Sequence, residues 1–430
     1  MDAPIASQDV TVANAAWRSP RNWLRRQNLG REYWIFFSAA FCFDAGFSIY
    51  FFLFNLFLLD VHYDERAIGL IAGAFTLGSV AGTLPAGAVA RRFGTRPMLI
   101  GCFLAAPVLG ALRAVWIWEP AQLACAFLAG VAMCGWGVGY LPAVAGLTTT
   151  ENRTAGYSLI YSVSVATGAL GALLCGALPH LLTHAGIALS AVNIKRLILI
   201  GSCAVAAAGL FAVVRLPTPQ SDPGREEPFT AKPRQSWLAA FRLNPFLLRF
   251  LPAMALWAVV LASFTPFANV YLSRDLHIPL ARIGIIFAAA QALQVCAGLL
   301  TPFVFRVFGP IRGIVITQLA PAFALGLLAV STSPSLAVPL YLGFAAAQWM
   351  SSPGLYNLLM SRTPEHERSS AAALTMFCNA LVSSFATAIA GSLFARFGYP
   401  PVLFGIAAFA ITVAILCGFL LSTHRTTVQS

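Results

Sequence analysis

Continuous apolar stretches of about twenty residues recur along the whole chain, and short polar segments separate them. A helix of this length crosses the hydrocarbon core of a bilayer, whereas the strands of a membrane barrel alternate apolar and polar residues. The pattern therefore predicts an all-α membrane protein with twelve transmembrane helices. The predicted spans cover residues 33–59, 67–90, 97–117, 121–148, 156–181, 195–215, 246–272, 280–305, 312–332, 336–360, 370–395 and 399–421.

A segment rich in proline and charge divides these spans into two sets of six. Residues 216–245 hold six prolines among acidic and basic side chains, a composition typical of a linker. The predicted organisation is therefore a cytoplasmic N-terminal segment at 1–32, a six-helix half at 33–215, the cytoplasmic linker at 216–245, a second six-helix half at 246–421 and a cytoplasmic tail at 422–430.

The two halves carry an internal repeat. A shift of 215 positions lays Ile68-Gly69-Leu70-Ile71 on Ile283-Gly284-Ile285-Ile286, and the same shift lays Arg91 on Arg306 and Arg153 on Arg368. Asn55-Leu56-Phe57-Leu58 matches Asn269-Val270-Tyr271-Leu272 with a shift one residue shorter. Repeated halves are common among secondary transporters, so we expect two pseudo-repeated bundles in parallel orientation.

Composition and charge narrow the class further. Hydrophobic residues make up 59% of the chain and charged residues only 10%, which excludes an ordinary soluble protein. The basic residues lie mainly in segments on the same side as both termini, which predicts that this side faces the cytoplasm. The net charge of +12 follows from this bias and from attraction to lipid headgroups, so no nucleic-acid binding is expected. We expect a monomer in the cell membrane.

Cysteine usage indicates neither metal chemistry nor a disulfide framework. All nine cysteines lie inside apolar stretches without a CxxC spacing. No metal site and no cofactor are therefore expected.

The loop after the second span contains Gly87-Ala88-Val89-Ala90-Arg91-Arg92-Phe93-Gly94-Thr95-Arg96. This segment resembles the loop motif of the major facilitator superfamily, in which a glycine is followed by an Asp-Arg pair, a second glycine and further basic residues. The resemblance implies a twelve-helix transporter fold, and it marks Arg91, Arg92, Gly94 and Arg96 as gating residues. Arg91 stands where the family has aspartate, which removes the usual acidic partner at that point.

Asp44 is the acidic residue that lies deep inside a predicted span. An ionisable side chain near the bilayer midplane costs a few kcal/mol, so its presence indicates a function by default. We interpret Asp44 as a proton-coupling group or as the counter-charge of a cationic substrate; a structural, protonated aspartate is the alternative. Arg113, in the outer half of the third span, is the corresponding basic residue. It could pair with Asp44 or bind an anion, and a structural or gating role is favoured.

The resemblance also implies that the first and fourth spans of each half line a central cavity. Polar and aromatic residues on these spans are candidates for substrate contact, although helix packing explains each one equally well. The candidates are Tyr50, Asn55, Trp136, Tyr140, Trp257, Asn269, Gln348, Trp349 and Asn357, together with Gln291, Gln294 and Asn379 from neighbouring spans. Glu151, Arg153, Glu367 and Arg368 occupy equivalent cytoplasmic loops and are interpreted as gating ion pairs or as solvated charges.

The function that these observations favour is secondary active transport of a small organic solute by alternating access, with protons as the coupling ion. Proton-driven efflux of amphipathic compounds or drugs is the alternative within the same class. A membrane-embedded enzyme is the alternative from another class, although no G-x-S-x-G or H-E-x-x-H motif occurs. A transporter-like receptor is a further possibility. The expected partners are the small-molecule substrate, protons and the lipid bilayer.

Overall fold

The computed structural model describes residues 29–149, 151–186, 189–216, 245–331, 333–364 and 367–422. Nearly all of the proposed N-terminal segment, linker and C-terminal tail lies outside these ranges. The side chain of Arg91, one of the gating candidates, also lies outside the described part of the structure.

The described residues form helices that make twelve successive spans, and no strand occurs among them. Eleven helices in the described part are long and apolar enough to cross a membrane. The spans are Arg31–Asp60, Glu65–Phe93, Thr95–Val115, Glu119–Leu147, Arg153–His184, Ala191–Val214, Pro245–Phe264 continued by Ala268–Arg274, Leu280–Phe308, Pro310–Val330, Pro334–Ala347 continued by Ser352–Arg362, Arg368–Phe397 and Tyr399–Ser422. They are numbered 1 to 12 in this order.

Spans 7 and 10 are interrupted, whereas the hydrophobic pattern predicted two continuous helices. In span 7 a 3-10 turn at Thr265–Phe267 separates the two helical segments. In span 10 the chain leaves the α-helix after Ala347 and resumes it at Ser352. Pro266 and Pro353 lie at the two breaks, and each contributes because proline has no N–H to donate and its ring clashes with the carbonyl four residues earlier. The interruption of span 10 is the reason that this span is not among the eleven long helices.

The sequence repeat is visible in the backbone. Gly94 ends span 2 with φ of 87°, and Gly309, which is 215 positions further on, ends span 8 with φ of 78°. Both residues turn the chain directly into the next span. Positive φ is accessible to glycine without steric cost, so glycine at these two positions lets consecutive spans pack antiparallel through a one-residue connection.

Two hydrophobic clusters fill the bundle. The larger one occupies the first half and continues into the second through Phe264, Tyr271 and Phe344. The smaller one lies within the second half and includes Phe250 and Trp257. We call the end of the bundle that holds Arg31 and Ser422 the termini face, and the end that holds the connections 60–65 and 274–280 the far face. The continuous core therefore joins the halves near the far face.

The halves meet along spans 2 and 11, spans 5 and 8, and spans 1 and 7. Small residues permit this approach near the far face, where Gly69 lies against Gly391. Gly73, one helical turn further along span 2, packs against the Ser384 carbonyl of span 11. Leu84 lies on the same side of span 2, three turns closer to the termini face than Gly73, and it is 77% exposed. The bundle is thus closed at the far face and open at the termini face.

Candidate functional site

Asp44 lies near the middle of span 1, the helix Arg31–Asp60. Its carboxylate accepts a hydrogen bond from the Ser164 hydroxyl of span 5. The two ion pairs among the described residues are Lys195–Asp60 and Arg274–Glu65, so Asp44 has no basic partner there. The pairing of Asp44 with Arg113 that the sequence left open is not observed.

A cavity of about 390 Å³ adjoins this carboxylate. It lies between spans 4 and 5, on the part of the bundle that opens toward the termini face. Its walls are aromatic and hydroxyl-bearing. The lining residues are Trp136, Tyr140, Leu141, Tyr157, Ile160, Tyr161 and Ser164.

Stacked rings build the wall on span 4. The Trp136 ring stacks on Phe36 with centroids 5.9 Å apart and on Tyr140 with centroids 5.8 Å apart. Phe43, the neighbour of Asp44, also contacts Trp136 at 5.2 Å between centroids. Tyr140 is close enough to Asp44 for an electrostatic interaction. The wall is therefore held in place by span 1 and ends beside the carboxylate.

Span 5 supplies the opposite wall. Tyr157, Tyr161 and Ser164 are spaced four and three residues apart, so they share one face of the helix. The Tyr157 hydroxyl donates to the Leu141 carbonyl at 3.0 Å, which ties the two walls together, while Tyr161 is 68% exposed. Sequence reasoning missed these three residues because its candidates came from the first and fourth spans of each half and from spans 8 and 11, and none came from span 5. Their shared face was the signal that could have identified them.

Of the predicted cavity residues, only Trp136 and Tyr140 line this cavity. Tyr50 is buried in the core of the first half, where its hydroxyl donates to the Gly110 carbonyl at 3.1 Å. Trp257 is buried in the smaller cluster of the second half. Neither ring faces the cavity, because both contribute to packing within a half.

The remaining candidates of the second half take several positions. Gln348 accepts a hydrogen bond from the Thr265 hydroxyl at 2.9 Å and bridges the breaks of spans 7 and 10. The Gln291 side chain packs against Gly168 of the other half. The other positions are not linked to the cavity: Trp349 and Asn357 are exposed, and Gln294 and Asn379 are half-buried.

Asn55 and Asn269 form a reciprocal contact between the halves. The Asn55 amide donates to the carbonyl of Pro266 at 2.8 Å, and the Asn269 amide donates to the carbonyl of Phe52 at 2.8 Å. Each acceptor lies three residues before the partner asparagine. These repeat-related residues were predicted to line the substrate cavity; instead they join spans 1 and 7 near the closed far face.

The break in span 7 makes one of these bonds available. The Val270 N–H bonds to the Asn269 side chain at 2.9 Å, so the Pro266 carbonyl does not accept that helical bond. Asn55 takes its place as the donor. A local helix break in one half thus creates an acceptor for the other half.

An ion pair closes the same face. Arg274 at the end of span 7 contacts both carboxylate oxygens of Glu65 at 2.7 Å, and the Glu65 side chain is only 5% exposed. Asp275 follows in the loop, where partial desolvation raises the pKa of its carboxyl; Glu65 adds to this rise and His277 opposes it. Closure of the far face therefore depends on charges from both halves.

Arg113 has a packing role within the first half. It is 4% exposed and its guanidinium lies 4.1 Å from the centroid of the Phe54 ring. Gln122 donates to the Arg113 carbonyl. A cation over a desolvated ring is stabilised by about 1 to 2 kcal/mol, so this contact offsets part of the cost of burying the guanidinium.

The gating candidates at the termini face bond within their own halves. Arg153 donates to the Ala145 carbonyl at 3.4 Å, and Arg368 donates to the Met360 carbonyl at 2.9 Å. Both acceptors lie eight residues before the arginine. In each half, therefore, the repeat-related arginine bonds to the end of the preceding span. Arg96 similarly donates to the Val214 carbonyl.

The other gating candidates lie at the surface of the same face. Arg92 and Glu151 are exposed, while Glu367 and Gly94 are half-buried.

No group of three or more metal-ligating side chains occurs among the described residues.

We expect the reciprocal asparagines to stabilise the closed far face measurably. Asn55→Ala leaves the Pro266 carbonyl without its donor, and Asn269→Ala removes the second bond, at about 1 kcal/mol each. The measurement is double electron–electron resonance between spin labels at Trp118→Cys and Ser335→Cys, which lie exposed on the two halves at this face. Each variant should increase the open population several-fold.

Asn193→Ala is the matched control, since Asn193 also lies near the far face but its side chain bonds within span 6, to Arg196. Cys42, Cys296 and Cys378 must be replaced before spin labelling, because they are at least partly exposed and would react with the label. The six other cysteines are buried and can stay. If Asn55→Ala and Asn269→Ala gave the same distance distribution as Asn193→Ala, the asparagines would have no role in closure.

Two six-span halves that meet at one face and open at the other define a transporter fold. The chain belongs to the major facilitator superfamily, whose sequence profile matches residues 36–387. It is therefore a multi-span membrane transporter with a small-molecule substrate, and not an enzyme.

Several solved structures share this fold. The nucleoside transporter NupG superposes with a TM-score of 0.76 at 14% identity, covering 91% of this chain and 100% of that one. A bacterial homologue of the lysosomal transporter Spinster, in an inward-facing unoccupied conformation, gives 0.72 at 13% identity with coverage of 91% and 98%. A D-xylose-proton symporter gives 0.67 at 15% identity with coverage of 89% and 95%. No curated protein matches this chain in sequence.

Proposed function

We propose that this protein is a secondary active transporter that moves a small organic solute by alternating access, coupled to protons through Asp44. The observation that carries the proposal is the Asp44 carboxylate itself. It lies mid-span, it adjoins the cavity, and no described basic side chain neutralises it. A carboxylate in this position needs a counter-charge, and a proton is the smallest one that can arrive and leave.

Ser164 supports reversible protonation. Its hydroxyl donates to Asp44 in the ionised state, and a hydroxyl can also accept a hydrogen bond when the carboxyl carries a proton. The two residues belong to spans 1 and 5, which pack together in the same half. A proton could therefore bind without a large rearrangement of this half.

The two faces support alternating access. The far face is closed by Asn55, Asn269 and the Glu65–Arg274 pair, while Leu84 and Tyr161 are exposed toward the termini face. Polar side chains and small residues supply part of the contact that closes the far face, next to apolar contacts between the halves such as Phe52 against Phe287. Rocking of the halves would then open the cavity to the far side.

Sidedness and assembly are part of the same proposal. The distribution of basic residues favours a cytoplasmic location for both termini and the linker of a protein in the cell membrane. In this orientation the closed far face is external and the conformation is inward-facing. The division into segments at 1–32, 33–215, 216–245, 246–421 and 422–430, a monomeric state and the absence of nucleic-acid binding belong to this proposal as well.

The test is proton flux in proteoliposomes that enclose a pH-sensitive dye. Nucleosides, sugars, amino acids, organic acids and amphipathic amines are added one at a time to vesicles with and without the protein. We expect at least one solute class to cause a protein-dependent pH change, with solute and protons moving in a constant ratio. Protein-dependent solute movement without any pH change would contradict proton coupling.

A further inference from the structure

We infer that the cavity beside Asp44 is a binding site for an organic cation that carries aromatic or bulky apolar groups. This inference rests on the proposed transport function and names the substrate class for it. The geometry behind it is a carboxylate without a described basic partner at one end of a wall of aromatic rings.

Charge comes first. The other acidic residues in the described ranges lie at or beyond the ends of spans, so Asp44 is the one carboxylate in the interior of the bundle there. An anionic solute would be repelled by it. A cation would supply the counter-charge that the described side chains do not provide.

The rings point to the same class. Four cation–π contacts occur among the described residues, between Arg92 and Phe93, Arg113 and Phe54, Arg196 and Phe57, and Arg396 and Phe397. None of them involves a ring of the cavity. Trp136 stacks on Phe36 and on Tyr140, so Tyr161, which is 68% exposed, presents the most accessible ring face. Aromatic rings of this kind recognise quaternary ammonium groups.

The polar inventory argues against a sugar. The Ser164 and Tyr157 hydroxyls donate to Asp44 and to the Leu141 carbonyl. The Tyr140 and Tyr161 hydroxyls are the other two in the lining, and no amide or guanidinium side chain lines the cavity. A polyol would leave most of its hydroxyls unpaired on such walls, which is costly. A cation with apolar groups satisfies one carboxylate and covers the rings.

Size is compatible with this class. A cavity of about 390 Å³ lies at the lower end of the range for small-molecule sites. Because Asp44 can hold a proton or a cation but not both, the two should compete for the site.

The experiment measures binding to the full-length protein in lipid nanodiscs, with empty nanodiscs subtracted. The probes form two shape-matched pairs: benzyltrimethylammonium with uncharged neopentylbenzene, and tetraphenylphosphonium with the anion tetraphenylborate. We expect at least one cation to bind tenfold or more tightly than its matched partner, and its affinity to fall as the pH is lowered.

The variants test the two parts of the site. Asp44→Asn should weaken cation binding tenfold or more and remove its pH dependence, whereas Glu119→Gln, which alters an exposed carboxylate at the far face, should leave both unchanged. Tyr161→Leu should weaken binding several-fold and Tyr161→Phe should retain it. Equal binding of both members of each pair, absence of binding by either cation, or unchanged affinity in Asp44→Asn would each overturn the inference.

Binding and transport fail independently in this design. If Asp44-dependent proton flux accompanies a neutral solute and neither cation binds, the proposed function stands and the substrate class is wrong. If the cations bind through Asp44 but no solute moves protons in vesicles, the site stands and proton-coupled transport is wrong.

Discussion

Asp44→Asn is expected to abolish solute-driven proton movement, while downhill exchange persists at solute concentrations high enough to offset the weaker binding expected for a cation. Asparagine preserves the size of the side chain and can accept the hydrogen bond from Ser164, so the fold and the cavity should persist. It cannot bind a proton, and uphill transport should therefore fall at least a hundredfold, to the level of protein-free vesicles. Both activities are measured in the same proteoliposomes, with and without an imposed pH gradient.

Ser164→Ala and Asp44→Glu separate proton binding from packing. Ser164→Ala removes the donor to the carboxylate but keeps the ionisable group, so proton coupling should continue with an altered pH profile. Asp44→Glu keeps the acid and should retain partial coupling. If Asp44→Asn accumulates solute against its gradient as well as the wild type does, Asp44 is a structural residue.

Gly284→Val is expected to hold the far face open. A Cβ atom at Gly284 in span 8 would collide with the backbone carbonyl of Ala172 in span 5 and approach Gly176. Backbone atoms of a packed helix cannot move aside as a side chain can. Overpacking of this kind costs about 1 to 3 kcal/mol, and each 1.4 kcal/mol changes a population ratio tenfold.

The readouts are the label distance between Trp118→Cys and Ser335→Cys and the rate of transport. We expect Gly284→Val to shift most molecules to the longer distance and to lower transport about tenfold or more. Gly405→Val is the matched control, because it makes the same helical substitution in span 12 where no atom lies within 4 Å of the added Cβ. Equal distances and rates in the two variants would show that contact between spans 5 and 8 does not limit closure.

The sequence repeat predicted several local features of the structure. The shift of 215 positions paired Arg153 with Arg368, and in the structure each donates to the carbonyl eight residues earlier. The same shift pairs Gly94 with Gly309, which have the same backbone conformation. These hydrogen bonds and backbone conformations depend on residues that are close along the chain, so a repeat in sequence predicts a repeat in structure.

Contacts between the halves were not predictable in this way. Asn55 and Asn269 were matched by the repeat, but their bonds to Pro266 and Phe52 depend on how spans 1 and 7 cross. The bond to Pro266 also depends on the break in span 7, which the hydrophobic pattern did not show. An amide facing a cavity and an amide facing another helix are equivalent in the sequence.

The sequence by itself determined that the chain crosses the membrane repeatedly, that it consists of two related halves, and that Asp44 is a carboxylate within a span. These conclusions follow from the cost of exposing polar groups to lipid, which depends on composition along each segment. Only the tertiary structure decided that Tyr157, Tyr161 and Ser164 face the cavity and that Tyr50 and Trp257 do not. The physical reason is that a membrane helix is apolar on all sides, so its sequence lacks the amphipathic period that reveals the inward face of a soluble helix.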